Sequence, residues 1–163
     1  MSPGCPSIEL SMGIRARLFA VLFFGLLQAG CQDIGDQPQG FSTIEDPAER
    51  WAAYNIQNYS IDQQRSCFCP NGGLRAKLTI AGNQITGITD VATGDTVPQN
   101  QWGGYSTVDQ LFSLINSAQH AAVLRTHYDP AYGFPDSVYI DWNVQVADDE
   151  ILYLTRNLKR TLE

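Results

Sequence analysis

Positive charge and histidine are scarce in this sequence. It carries 10 lysines and arginines against 17 aspartates and glutamates, with only 2 histidines, and its net charge is −7. A nucleic-acid partner requires a dense footprint of Lys and Arg against the phosphates. The basic residues that follow position 30 are scattered along the chain, so the sequence predicts no nucleic-acid partner.

The motifs of the common enzyme classes are also absent. The sequence contains no G-x-S-x-G, no Walker loop and no H-E-x-x-H, so the familiar hydrolase and NTPase classes have no support. The acidic segment 141–152 lacks the glycine of a calcium loop and has Leu152 where the bidentate Glu belongs, which excludes an EF-hand. We therefore predict no catalytic residue, no cofactor and no metal site, and we expect a protein that is not an enzyme.

Residues 1–30 have the pattern of a signal peptide. Arg15 and Arg17 precede an apolar run at 18–27, and small residues then lead to Cys31. The run is too short for a comfortable transmembrane helix. Met12 is an alternative start of the chain, because residues 1–11 would make an unusually long basic region.

The end of this segment, Leu27-Gln28-Ala29-Gly30-Cys31, resembles a bacterial lipobox. The resemblance implies that Cys31 is lipidated and that the membrane is a partner through the acyl chains. Gln28 departs from the apolar residue usual at its position. The alternative is ordinary cleavage nearby, which would leave a soluble secreted protein with a spare thiol.

The mature chain is predicted to have two parts. Residues 31–45 comprise the lipidated cysteine and a polar tether rich in Gly and Pro, and residues 46–163 form a single domain. The residue after Cys31 is Gln32 and not Asp. This resembles the pattern of lipoproteins that travel on to the outer membrane of a Gram-negative host. In such a host we expect anchoring to the periplasmic face of the outer membrane.

The domain pattern is that of an α+β fold. Asp46-Pro47 with Glu49 predicts a helix start, and Thr107 with Gln110 forms a capping box ahead of a second, amphipathic helix. Three alternating segments follow each helix. We predict an antiparallel sheet in the order helix, three strands, helix, three strands, with both helices packed against the sheet.

Cys67 and Cys69 are the residues of this sequence with the most distinctive potential chemistry. Alternation from Tyr59 places both on one side of a strand, and on an ideal strand their Cβ atoms would be about 6–7 Å apart, too far for a disulfide without a bend. In an exported protein a disulfide is expected. The pair is then a structural staple, a strained thiol-redox centre, or, with His120 or His127, a ligand set for a soft metal.

Aromatic and polar side chains on two loops form a candidate binding surface. Trp102 and Tyr105 lie beside glycines and either present a recognition surface or fold back over an edge of the sheet. His127, Asp129 and Tyr132 surround the turn before the fifth strand. Asp129 is expected to cap backbone N–H groups there.

The combination of Cys67-Phe68-Cys69 with Tyr128-Asp129-Pro130 and Gly133-Phe134-Pro135 resembles a family of secreted or lipid-anchored bacterial proteins known as domain of unknown function 6174. The resemblance spans about residues 50–155 and implies no activity.

Two hypotheses follow. The preferred one is a non-enzymatic envelope lipoprotein whose sheet or Trp102 loop contacts another envelope protein. The alternative is a thiol-redox or soft-metal protein that uses Cys67 and Cys69.

Overall fold

The computed structural model describes residues 40–161, which lie within one compact unit, Asp36–Glu163. Two α-helices and six strands make up this unit: α1 (Pro47–Tyr54), β1 (Tyr59–Ser66), β2 (Arg75–Ala81), β3 (Gln84–Asp90), α2 (Val108–Ser117), β4 (Val123–Tyr128), β5 (Pro135–Asp141) and β6 (Ile151–Arg160). The predicted α+β class and the antiparallel sheet are confirmed. Short 3₁₀ helices at Gln99–Gln101 and Ala118–His120 flank α2, and the predicted element order did not include them.

All six strands belong to one antiparallel sheet in the order β3-β2-β1-β6-β5-β4. The central pair joins β1 to the last strand of the chain, with Gln63 opposite Thr155 and Ser66 opposite Leu152. The sheet therefore has two distinct ends. We call the end where β1 finishes and β6 begins the cysteine end, and the end where β4 turns into β5 the α1 end.

Both α-helices begin where their capping residues predict. Asp46 Oδ1 accepts a hydrogen bond from the Glu49 N–H at 2.8 Å, and α1 ends at Asn55, whose φ of +48° is left-handed. Thr107 and Gln110 form the reciprocal capping box of α2. These contacts satisfy N–H groups that the first turn of a helix leaves without partners.

Both helices pack on one face of the sheet. Trp51 of α1 and Val108 of α2 lie in one hydrophobic cluster with Tyr59, Ile61 and the buried side of β2. A second cluster joins α2 to β5 and β6. The phenol of Tyr59 is fully buried and accepts a hydrogen bond from the Val108 N–H at 2.9 Å, so it ties the centre of the sheet to the start of α2.

Tyr59 is expected to make the domain less stable at alkaline pH. Burial raises the pKa of Tyr59 to about 12, against the smaller opposing effect of the Val108 N–H. An unfolded tyrosine has a pKa of about 10. The preference of the fold for the neutral phenol therefore contributes fully to the free energy of unfolding below pH 10. This contribution is lost as the pH rises through about 12, and it amounts to at most about 3 kcal/mol.

Urea denaturation at a series of pH values up to 11 measures this effect against Tyr59→Phe. The variant starts less stable, because the Val108 N–H loses its acceptor, and it should lose less stability above pH 10 than the parent protein. Burial also raises the pKa values of Tyr105 and Tyr153. The parent protein and the Tyr59→Phe variant both contain these two tyrosines, so they cannot cause a difference between the two pH profiles. An identical pH dependence in the two proteins would contradict the assignment to Tyr59.

The predicted signal peptide, Cys31 and most of the tether lie outside the described residues. Within residues 40–161, no helix is long and apolar enough to cross a membrane.

Candidate functional site

Cys67 and Cys69 lie in the β1–β2 loop, because β1 ends at Ser66. Their sulfurs form a disulfide across a Cα separation of 5.3 Å. The interpretation that both cysteines continue the face of the strand was wrong. Hydrogen bonding to the neighbouring strands stops at Ser66, and the chain turns through Asn71 and Gly73, which have φ values of +59° and +87°.

Backbone and side-chain contacts hold this loop independently of the disulfide. The Gly73 N–H donates to the Arg65 carbonyl at 2.6 Å, and Asn71 Nδ2 donates to the Gln101 carbonyl at 3.1 Å. A Cβ at position 72 would lie 2.5 Å from the Cys67 carbonyl oxygen, so only glycine fits there. The loop is therefore compact, and it holds the Phe68 side chain 87% exposed between the two cysteines.

Arg65 is the buried charge beneath this loop. Its side chain is 6% exposed, its Nη2 donates to the Pro70 carbonyl at 2.9 Å, and its guanidinium lies 5.1 Å from the centre of the Tyr105 ring. It also bonds Tyr153, whose pKa is raised by burial and lowered in smaller part by this cation. Arg65 thus links the cysteine loop to the Trp102 loop.

Trp102 and Tyr105 pack inward on the sheet. Tyr105 is 6% exposed and belongs to the hydrophobic core. Trp102 is partly buried against the same core, and its indole N–H donates to the Val97 carbonyl at 2.8 Å. This placement favours the interpretation in which both rings cover the sheet.

The other candidate residues lie at the α1 end. Asp129 Oδ1 accepts from the N–H groups of Ala131 and Tyr132 at 3.0 and 2.7 Å, which confirms its predicted capping role. Tyr132 packs against Tyr54 with the ring centres 5.0 Å apart. His127 is largely exposed and contacts Asp136 at 2.7 Å. The structure does not bring these residues together with Cys67 and Cys69.

Sequence interpretation missed the β5–β6 loop. Trp142, Val144 and Val146 of this loop are 44%, 67% and 49% exposed. β1 and β6 are adjacent, with Ser66 opposite Leu152, so this loop leaves the cysteine end beside the one that carries Phe68. We call Phe68, Trp142, Val144 and Val146 the apolar patch. Alternating apolar residues in an acidic, polar segment were the available signal.

A shallow depression lies between the two loops of the apolar patch. Its lining combines the cysteine loop with β5 and β6: Ser66, Cys67, Phe68, Tyr139, Glu150 and Leu152. Apolar side chains dominate it, and Glu150 contributes a carboxylate at its margin. Among the described residues, no group of three or more His, Cys, Asp and Glu side chains is arranged to hold a metal ion. The arrangement is suited to contact with another apolar surface.

Comparison with protein families identifies a match that covers the whole folded domain. The model of a family of unknown function, DUF6174, matches residues 43–160, which include every helix and strand of the domain. No curated protein and no solved structure matches the chain.

Proposed function

We infer, from the premise that this chain belongs to the family of unknown function DUF6174, that it is an exported, non-enzymatic binding module of the bacterial envelope. Cys31 anchors it through acyl chains, and the apolar patch recognises an envelope protein. The family assigns no activity, so the proposal depends on the surface of the domain.

The concentration of exposed apolar side chains at the cysteine end carries this proposal. Of the 6 large hydrophobic side chains that are exposed among the described residues, 4 form the apolar patch. Exposed apolar groups that cluster, rather than lie singly, are typical of interaction sites. Aromatic residues such as Trp142 and Phe68 also contribute most to the affinity of protein interfaces.

The position of the patch is consistent with a tethered protein. The start of α1 packs at the α1 end, where a Cβ on Gly133 would lie 2.3 Å from the Pro47 carbonyl oxygen, and Phe41 packs against Tyr54. The described chain therefore begins at the end of the sheet opposite the patch. A tether at 32–42 would reach at most about 35 Å, and the patch would stay clear of the anchor.

Site-specific photo-crosslinking in intact envelopes tests the proposal. A photoreactive phenylalanine at position 68 should form a discrete adduct with a partner protein. Adding Trp142→Ser should weaken that adduct by about thirtyfold in apparent affinity, as for the loss of a central aromatic contact. The matched control is the same photoreactive residue at Phe41, which is also exposed, at 38%, but lies outside the patch.

Two results would count against this function. One is an adduct pattern at position 68 no stronger than that at position 41. The other is a discrete adduct that Trp142→Ser leaves unchanged, because the partner would then contact Phe68 alone.

The disulfide supports a second candidate, thiol–disulfide exchange. Cys67 and Cys69 are both partly exposed, so a partner thiolate could attack one sulfur, form a mixed disulfide and release the other as a thiolate. Cys67→Ser with Cys69→Ser separates the two functions, since hydrogen bonds also hold the loop. Crosslinking through position 68 should persist in this variant if the protein is a binding module. Its loss in a variant that remains folded would favour exchange.

A further inference from the structure

A cleft lies between α1, the first turn of α2 and the turn of the β2–β3 hairpin. Its volume is about 400 Å³, within the range of roughly 300–1,000 Å³ typical of sites for small molecules. Asn83 lines it from the hairpin, Asp109 and Phe112 line it from α2, and none of the residues that line it belongs to the apolar patch. The cleft is therefore a separate candidate site, and its use does not depend on the proposed protein partner.

The walls of the cleft are mainly apolar. Ala48 and Trp51 line it from α1, Ile56 from the segment that leads to β1, and Phe112 from α2. Trp51 and Ile56 belong to the buried core, and Phe112 stacks on Tyr128 with the ring centres 6.1 Å apart. The packing of the domain thus fixes these walls, and they favour a ligand with an apolar body.

Asp109 is the charged residue among those that line the cleft. Its Oδ1 accepts a hydrogen bond from the Trp51 indole N–H at 2.7 Å, and its Oδ2 accepts one from the side-chain amide of Asn83. Both donors are neutral, and no Lys, Arg or His among the described residues forms an ion pair with Asp109. The residue is exposed, and each carboxylate oxygen can accept a further hydrogen bond.

The surroundings of Asp109 offset only part of its charge. Asp109 lies in the first turn of α2, where the helix dipole contributes about half a positive charge. Arg160 lines an adjoining depression and not the cleft itself. Burial chiefly raises the pKa of Tyr59, and the negative charge of Asp109 raises it further, so this charge is felt in the core. A positively charged ligand group beside Asp109 would therefore be attracted.

We propose that this cleft binds a small organic cation, whose apolar body packs on the walls and whose ammonium group donates to Asp109. An ammonium group can use the free acceptor sites of the carboxylate, so Trp51 and Asn83 keep their hydrogen bonds. A neutral ligand of the same shape would lose the attraction to Asp109, and an anion would be repelled. The affinity of ligands for the cleft should therefore decrease from cation to neutral molecule to anion.

Three ligands that share a phenyl ring and differ in charge test the proposal on residues 36–163, the compact unit that contains every described helix and strand. Phenethylamine is a cation at neutral pH, phenethyl alcohol is neutral and phenylacetate is an anion. Titration with phenethylamine, followed by NMR, should give saturable shifts at the Asp109 and Asn83 amides and at the Trp51 indole N–H. Phenethylamine should bind about fivefold more tightly than phenethyl alcohol, as for one ion pair near the surface, and phenylacetate should bind most weakly.

Asp109→Asn removes the charge and keeps the shape of the cleft. The new side-chain oxygen can accept from Trp51, and the new amide can donate to Asn83 once that side chain turns over, since Asn83 Oδ1 is buried without a donor among the described residues. The variant should bind phenethylamine about fivefold more weakly and phenethyl alcohol as the parent protein does. The matched control is Glu49→Gln, which removes a carboxylate of α1 that does not line the cleft. It should change the affinity for phenethylamine by less than about twofold.

Equal affinities of the parent protein for the three ligands would overturn the proposal, and this comparison needs no variant. Absence of saturable shifts at the cleft with phenethylamine would also overturn it, as would an equal loss of affinity in Asp109→Asn and Glu49→Gln. Crosslinking at Phe68 depends on a different surface. Failure of amine binding would therefore leave the proposed protein partner in place, and failure of crosslinking would leave the amine result intact.

Discussion

Gly133→Ala is expected to lower the free energy of unfolding by about 3 kcal/mol or more, and with it the melting temperature by about 10 °C. Gly133 has a φ of +84°, and its Cβ would lie 2.3 Å from the Pro47 carbonyl oxygen and 3.1 Å from its carbon. A left-handed alanine costs about 1–2 kcal/mol, and overpacking adds about 1–3 kcal/mol. The closest blocking atoms belong to the Pro47 backbone at the start of α1, and the Arg50 Cβ, 3.1 Å away, is fixed to the helix, so rotation of a side chain cannot relieve the contact.

Gly94→Ala separates these two costs. Gly94 has a nearly identical φ of +80°, and nothing lies within 4 Å of its added Cβ. Its substitution should therefore cost only the conformational part, about 1–2 kcal/mol. Urea denaturation of both variants measures the difference. Equal losses in the two variants would mean that the turn moves away from α1 at little cost, and that the packing of Gly133 on Pro47 is not important for stability.

Local signals in the sequence predicted the helix boundaries well. The capping groups of Asp46 and Thr107 act within three residues of their own position, so the chemistry that starts each helix is contained in a short segment. The alternation along β1 likewise predicted that Tyr59, Ile61, Gln63 and Arg65 share a side, and all four are buried.

The pairing of distant segments could not be predicted in the same way. β1 and β6 are adjacent at the centre of the sheet, although Gln63 and Thr155 are far apart in the chain. No short-range pattern specifies that pairing. Alternation also gives no indication of where a ladder stops, and for this reason Cys67 and Cys69 were assigned to a strand that ends before them.

The candidate surfaces depend on this long-range pairing. The loop that carries Phe68 and the loop that carries Trp142 lie at the same end of the sheet only because β1 pairs with β6 and β6 with β5. In the sequence, the charged residues are scattered and the aromatic residues of these two loops are far apart. The same topology separates His127 and Asp129 from the cysteine pair, which linear spacing could not have revealed.

Arg65→Ala is expected to lower the free energy of unfolding by about 3 kcal/mol, and Arg65→Met by clearly less. Among the described residues no carboxylate forms an ion pair with Arg65, so its buried charge is stabilised by the Pro70 carbonyl, Tyr105 and Tyr153. Alanine loses a charged hydrogen bond, worth about 1.5–3 kcal/mol, and leaves a cavity. Methionine keeps most of the volume and removes the desolvated charge, which offsets part of that loss.

Hydrogen exchange shows whether Arg65 holds the two loops of the cysteine end or only fills space. Both variants should lose protection at the Gly73 and Tyr105 amides, which are bonded within those loops, because neither alanine nor methionine can donate to the Pro70 carbonyl. Leu111, whose N–H bonds within α2, should lose protection only by the change in global stability. A methionine variant that keeps full protection at Gly73 would show that packing, and not the guanidinium, orders the loop that presents Phe68. A methionine variant that loses it while remaining as stable as the parent protein would identify Arg65 as a group that costs folding energy to fix the loop that carries Phe68.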